Sequence, residues 1–156
     1  MRGVVDADPH IMESAAMWEL LDKEMYDQRP LLLKAPSDTM YGSFNAFWLI
    51  DGNIFPKSAG RGGSLMSTPS ESDNQSVRRD IDLAIRELTD PEARVKSLDK
   101  RGVEVEVIYS TLFGVYLTDD ANLDVALCRA YNRWMADVWS KGHNRLRWTA
   151  VFPLTS

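Results

Sequence analysis

Asp8 and His10, two positions apart near the N-terminus, are the residues whose types and spacing best suit chemistry. They follow a short apolar run, Val4 and Val5, which is typical of a buried strand. Alternate side chains of an extended segment point the same way, so the two groups can converge on one point. A carboxylate together with an imidazole suits Zn²⁺ or Mn²⁺. A purely structural role is also open, in which Asp6 or Asp8 caps the following helix.

Nucleophilic catalysis finds no support in the sequence. Cys128, the single cysteine, flanks the apolar stripe of a predicted helix and is expected to be a small core residue. No serine or histidine is placed to make Cys128 or Ser110 the nucleophile of a triad. His143 follows a glycine at a predicted helix end, and we interpret it as a loop residue or a partner of the helix dipole.

The second half of the chain carries the signals of a helix followed directly by a strand. Asp90 suits an N-cap and Pro91 the first helical position, and Gly102 suits the left-handed C-cap that ends this helix. The β-branched segment at residues 103–109 then predicts a strand.

The same alternation continues to the end of the sequence. Residues 119–141 predict a long helix, and residues 147–152 predict a further strand. One face of that helix carries Leu123, Leu127, Ala130, Tyr131, Trp134 and Val138. Helix and strand in alternation predict an α/β fold with about three parallel strands.

The first half of the chain interrupts this alternation with an insertion at about residues 27–76. Residues 14–26 before it predict a helix, and residues 77–88 after it predict another. The apolar helical positions of the first are Met17, Leu20, Leu21 and Met25. Two apolar runs around Asp51 and Gly52 predict a hairpin. Residues 57–76 are rich in Gly, Ser, Pro and Asn and predict a flexible loop.

Composition narrows the class of protein. The chain has 156 residues, 44% of them hydrophobic and 26% charged, which fits one globular domain. A net charge of −5 argues against nucleic-acid and membrane-surface partners. One cysteine and no leader-like or membrane-spanning apolar run lead us to expect a cytoplasmic protein.

Several segments resemble one enzyme family. The sequence is similar to the amidohydrolase-related family that includes aminocarboxymuconate-semialdehyde decarboxylase and the resorcylate-type decarboxylases. This resemblance covers nearly all of the chain outside residues 57–76. The segments that carry it are residues 4–13, 51–56, 98–112, 126–135 and 144–154.

The resemblance implies the N-terminal portion of a (β/α)₈ TIM barrel, whose sites lie at the C-terminal ends of the strands. It makes Asp8 and His10 the metal pair of the first strand, where most relatives use His-x-His or Glu-x-His. It also brings Glu13 beside the site, as a pocket carboxylate or simply as a charge at a helix start. Tyr109 or Thr111, at the end of the next barrel strand, would contact the substrate, although an aromatic residue after a barrel strand is more often part of the core.

The resemblance also implies that ligands are missing. Relatives add two histidines and an aspartate from later strands, and a closed barrel takes about 250 residues. We therefore expect a metal-dependent hydrolase or non-oxidative decarboxylase acting on a small carboxylate-bearing molecule, incomplete and inactive as this chain alone. The alternative is a non-catalytic assembly module. Either would pair with copies of itself or with a complementary C-terminal chain.

Overall fold

The computed structural model describes residues 3–39, 42, 44–56, 69 and 81–154. The predicted flexible loop at residues 57–76 lies outside these residues, apart from Pro69. The strands are β1 (Val4–Asp6), β2 (Leu31–Lys34), β3 (Ala46–Ile50), β4 (Asn53–Phe55), β5 (Val103–Ile108) and β6 (Leu146–Trp148). The helices are α1 (Ala15–Trp18), α2 (Leu83–Arg86), α3 (Pro91–Arg101) and α4 (Ala121–Lys141), and short 3₁₀ turns cover Lys23–Gln28 and Leu112–Gly114. No helix within the described ranges is long and apolar enough to cross a bilayer.

Three parallel strands form the main sheet, as predicted. Its order is β1-β5-β6, so β5 lies in the middle and pairs in parallel with both neighbours. The strand predicted at residues 147–152 is shorter than expected and ends at Trp148. The reason lies on α4: the Asn132 side chain donates to the Val151 carbonyl at 2.8 Å and accepts from the Val151 N–H at 3.2 Å. A side chain thus binds the backbone groups that a neighbouring strand would otherwise pair.

The helices that flank β5 begin as their capping residues predict. The Asp90 carboxylate accepts from the Ala93 N–H at 2.9 Å, and Gly102 ends α3 at a φ of 68°. At the start of α4, Asp120 accepts from the N–H of Asn122 at 2.8 Å. Each cap satisfies backbone groups that the first or last helical turn leaves unpaired.

The single helix predicted for residues 14–26 is wrong. The chain forms α1, opens at Asp22, where φ and ψ are −57° and 137°, and then makes the 3₁₀ turn. Two arginines on α4 explain the break. Arg129 and Arg133 reach the Asp22 carboxylate at 3.0 and 2.6 Å, and Arg133 also donates to the Leu20 carbonyl at 2.9 Å. The Leu20 carbonyl thus accepts from Arg133 and not from a backbone N–H of a continued helix.

The second predicted helix, at residues 77–88, is also shorter than expected. The structure describes residues 81–88 of this segment, and of these only Leu83–Arg86, which form α2, are helical. Leu88 adopts a φ of 57°. Leu88 is nevertheless buried in the core. Because Leu88 is buried with a positive φ, α2 ends before it and does not reach the predicted helix end at residue 88.

A second, antiparallel sheet has the order β2-β3-β4. The predicted hairpin between β3 and β4 is confirmed, and Asp51 and Gly52 both have positive φ, 48° and 70°, as a type I′ turn requires. Strand β2 was not predicted; it pairs along β3, with Leu31 opposite Leu49. The Thr118 hydroxyl donates to the Asp51 carboxylate at 2.6 Å and so ties the hairpin to the segment before α4.

One apolar core joins these parts. The predicted apolar face of α4 is buried, except that Trp134 is only partly so. The buried residues of α4 are Leu123, Ala126, Leu127, Cys128, Ala130, Tyr131, Met135 and Val138. Trp18 of α1 packs edge-to-face on Trp48 of β3, with ring centroids 6.0 Å apart, which fixes the antiparallel sheet to the same core.

A buried ion cluster, which the sequence did not predict, holds α3 on the main sheet. Glu106, in the middle of β5, is fully buried. Its two carboxylate oxygens lie 2.7 Å from Arg94 and 2.6 Å from Arg101, and Arg101 also reaches Asp6 of β1 at 3.6 Å. A buried carboxylate is tolerable only when it is paired in this way.

Candidate functional site

The site forms where the chain leaves β1 and β5. Beyond these strands the two segments continue side by side: the Tyr109 N–H donates to the Pro9 carbonyl at 2.9 Å, and the Ile11 N–H donates to the Tyr109 carbonyl at 3.0 Å. His10 and Tyr109 form a parallel bridge. Parallel strands end at the same edge of a sheet, so residues distant in sequence meet here.

Asp8 and His10 lie together in this edge region. The Nε2 atom of His10 is 3.6 Å from an Asp8 carboxylate oxygen. The Asp8 side chain is 95% exposed and that of His10 is 34% exposed, so an ion or ligand can reach both. Their role as a metal pair stays a prediction. Among the described residues, no group of three or more His, Cys, Asp or Glu side chains gathers around one point.

The other ring nitrogen of His10 faces the protein. Its Nδ1 atom lies 3.1 Å from the Ser110 carbonyl oxygen. The imidazole is therefore held between a backbone oxygen on one side and a carboxylate oxygen on the other. Ser110 was missed as a positioning group; its only sequence signal is that it follows β5 by two residues.

Glu13 is buried, with 4% of its surface exposed, and it binds the segment that follows β5. One carboxylate oxygen, Oε1, accepts from the Ser110 hydroxyl at 3.0 Å, the Thr111 N–H at 2.9 Å and the Leu112 N–H at 3.0 Å. Burial raises the pKa of this carboxyl above its ordinary value, although these hydrogen bonds oppose the rise. Glu13 is thus no solvated charge at the start of α1.

Tyr109 and Thr111, predicted to contact substrate, have different surroundings. The Tyr109 ring is partly exposed and its centroid lies 6.0 Å from that of His10. The Thr111 hydroxyl donates to the Ile11 carbonyl at 2.6 Å and so joins the two segments. Tyr109 therefore forms part of the open wall beside His10, whereas Thr111 contributes to the framework. Contact of either with a substrate stays a prediction.

A tyrosine of α4 lies behind Glu13. Tyr131 is fully buried, and within the described part of the chain its hydroxyl has no hydrogen-bond partner. Burial and the nearby Glu13 carboxylate raise the pKa of Tyr131 above its ordinary value. Phe113 packs on Tyr131, with ring centroids 5.4 Å apart.

Cys128 and His143 take no part in this site, as predicted. Cys128 is buried in α4, and burial together with the adjacent Asp124 raises its pKa to about 12, which leaves an unreactive thiol. His143 lies in the turn after α4, at a φ of 50°, and its ring contacts Glu92 at 3.3 Å. It is a loop residue.

Comparison with known proteins places the fold. No protein-family model matches the chain, and no curated protein matches it significantly. The chain is similar in structure to an amidohydrolase from Mycobacterium avium subsp. paratuberculosis K-10, with a TM-score of 0.57 and 17% sequence identity. The match covers 95% of this chain and 42% of that one, so the chain spans less than half the length of this relative. The chain therefore shares its fold with part of that protein.

Proposed function

We propose that this chain is the N-terminal portion of a (β/α)₈ barrel enzyme, a metal-dependent hydrolase or non-oxidative decarboxylase acting on a small carboxylate-bearing substrate. The observation that carries the proposal is the Asp8–His10 pair, 3.6 Å apart and exposed at the C-terminal edge of a parallel sheet. Barrel enzymes place their sites at that edge. The fold likeness to an amidohydrolase and the family resemblance of residues 98–112 and 126–135 support this class of enzyme.

The donor types fit a divalent metal in part. Asp8 supplies an oxygen and His10 a nitrogen, which suit Zn²⁺ or Mn²⁺, but a catalytic zinc site takes three protein ligands. A metal bound there would polarise a substrate oxygen or lower the pKa of a bound water. Asp8 and His10 would hold the metal, and Tyr109, beside His10, would contact the substrate. The further ligands must come from residues outside the described ranges or from another chain.

A titration of the isolated chain with Zn²⁺ or Mn²⁺ tests this proposal. We expect weak binding that is lost in His10→Ala and kept in His143→Ala, since the sequence holds only these two histidines. Binding that survives His10→Ala unchanged would refute the assignment. Binding that is lost only in His143→Ala would place the metal elsewhere.

An assembly module is the second candidate function. Both outer strands of the main sheet lack a partner within the described residues, and apolar side chains are exposed near them. Val4 and Val5 of β1 are 56% and 58% exposed, and Phe152 and Leu154 after β6 are 74% and 80% exposed. Unpaired edges and exposed apolar surface favour association. The partner would be a second copy or a complementary C-terminal chain.

A cytoplasmic location is part of the proposal. The single cysteine is a buried free thiol, which is compatible with a reducing compartment. The acidic charge of the chain likewise supports a small-molecule substrate rather than nucleic acid or a membrane surface.

A further inference from the structure

The two ring nitrogens of His10 have different neighbours. Nδ1 lies 3.1 Å from the Ser110 carbonyl oxygen, and Nε2 lies 3.6 Å from an Asp8 oxygen. A carbonyl oxygen can only accept, so the Nδ1 contact is a hydrogen bond only when Nδ1 carries the hydrogen. In the neutral ring Nε2 then keeps its lone pair, and Nε2 is the nitrogen beside Asp8.

The Ser110 carbonyl is one end of a peptide group whose other end is held by Glu13. The Ser110 C=O and the Thr111 N–H belong to one planar peptide unit and point in opposite directions. Glu13 Oε1 accepts from that Thr111 N–H at 2.9 Å. The Leu112 N–H donates to the same oxygen at 3.0 Å, so Glu13 also holds the start of the 3₁₀ turn that follows Thr111. A carboxyl at one end of a peptide plane thus sets where the opposite end points.

We propose that Glu13 is a positioning residue for His10. By binding the N–H end of the Ser110–Thr111 peptide, it turns the C=O end toward Nδ1, selects the Nδ1–H tautomer and leaves Nε2 free for a cation beside Asp8. Hydrogen bonds in such a chain polarise one another, which strengthens the contact to Nδ1. Glu13 itself is buried, so in this proposal it acts on His10 through the peptide group and not by contact with the cation. Only the role of the cation depends on the proposed function; the tautomer does not.

Nitrogen-15 spectroscopy of the histidine rings tests the tautomer directly. The chain has two histidines, so each signal is assigned by one substitution. Magic-angle-spinning spectra of ¹⁵N-histidine-labelled protein, recorded without metal on the alkaline side of the ring titration, distinguish protonated from unprotonated nitrogens even in oligomers. We expect Nδ1 of His10 to be protonated and Nε2 unprotonated. A His10 ring protonated on Nε2 instead overturns the proposal.

Substitutions at Glu13 test the cause. In Glu13→Ala we expect a mixture of His10 tautomers, while the His143 signals stay unchanged. Glu13→Gln keeps an oxygen that accepts from Thr111, so it should restore the Nδ1–H form. Glu92→Ala is the matched control: it removes the partner of His143 and should change that ring alone. A His10 ring that is unchanged in Glu13→Ala contradicts the proposal.

A milder variant, Glu13→Asp, distinguishes a general loss of fold from a specific effect on His10. If Glu13→Ala also alters His143, the chain has been disturbed as a whole, and Glu13→Asp decides. Its carboxyl is one methylene shorter and retracts from Thr111, so mixed His10 tautomers with an unchanged His143 are expected. A wild-type His10 pattern in Glu13→Asp overturns the proposal.

Added Zn²⁺ separates this inference from the proposed function. If the metal binds as proposed, Zn²⁺ shifts the Nε2 signal of His10 and not Nδ1, and Glu13→Ala weakens binding by about 10–100-fold, as loss of an outer partner of a ligand does. If Zn²⁺ has no effect while the tautomer follows Glu13, the positioning role stands and the metal site fails. If Zn²⁺ shifts the Nε2 signal but Glu13→Ala changes neither the tautomer nor the affinity, the metal site stands and the positioning role of Glu13 fails.

Discussion

Glu13 and His10 hold opposite ends of the same peptide group. The Thr111 N–H donates to the Glu13 carboxyl at 2.9 Å, and the Ser110 carbonyl lies 3.1 Å from the His10 imidazole. Glu13 is buried while His10 is partly open to solvent. The buried group therefore fixes the framework, and the open group is the one that a ligand can reach.

Stability should depend on pH through Glu13. Burial raises its pKa above the ordinary 4.5, so the folded chain binds this proton more tightly than the unfolded chain does. The free energy of unfolding therefore falls as pH rises from about 4.5 to the folded-state pKa, and is constant above it. Glu13→Gln has no such loss. We expect the variant to gain stability relative to wild type as the pH rises above about 4.5.

Urea unfolding at a series of pH values and at one protein concentration measures this difference. Glu24→Gln, on the exposed 3₁₀ turn, is the control for removing a carboxylate from the surface. A Glu13→Gln curve that stays parallel to the wild-type curve above about pH 4.5 would show that burial does not raise the pKa of this carboxyl.

Metal binding should be weak and should need both members of the pair. Asp8 and His10 would supply two ligands, fewer than the three or more of a catalytic zinc site. Asp8→Ala, His10→Ala and the double variant should all reduce Zn²⁺ affinity to the same background, because one remaining ligand is not a site. Calorimetric titration decides. Tight binding that persists without His10 is incompatible with this assignment.

Activity should be absent from the chain alone. We expect no metal-dependent turnover of lactones or aromatic carboxylic acids, because among the described residues no group of three or more His, Cys, Asp or Glu side chains gathers at one point. Assays with Zn²⁺ and Mn²⁺, with His10→Ala as the control, test this. Robust turnover by the purified chain would mean that copies of it complete the site or that the site is elsewhere.

The buried ion cluster of Glu106, Arg94 and Arg101 should contribute more to the free energy of unfolding than an ion pair on the surface does. Arg94→Ala leaves Glu106 buried with one partner fewer, and removing one partner of a buried pair costs about 3–5 kcal/mol. Lys96→Ala, on the exposed side of the same helix, should change stability by less than about 0.5 kcal/mol. Urea unfolding of both variants compares them. Equal effects would show that the cluster contributes only as surface charges do.

Association should proceed through the open edges of the main sheet. We expect the isolated chain to be oligomeric or aggregation-prone, because β1 and β6 are unpaired edges within the described residues. Val5→Lys should reduce association by placing a charge on β1. Val115→Lys should not, because Val115 is similarly exposed but lies outside the sheet. Light scattering measures both. A monodisperse wild-type monomer with a cooperative thermal transition contradicts this expectation.

The sequence determined the elements whose signals are local. Asp90 and Gly102 bound α3 because a cap depends on neighbouring backbone groups, and the turn at Asp51 and Gly52 depends on two residues that tolerate positive φ. The parallel sheet followed from helix and strand in alternation. Likewise, Asp8 and His10 could be paired by sequence because two positions of one extended segment share a direction.

Tertiary structure decided everything that depends on a partner distant in the chain. Asp22 breaks a helix because arginines of α4 reach it, and Glu106 is buried because α3 covers that face of β5. Glu13 was ambiguous by sequence, since nothing local distinguishes a carboxylate at a helix start from one that binds Thr111, 98 residues away. Side-chain periodicity fixes which residues share a face, but only packing fixes what that face meets.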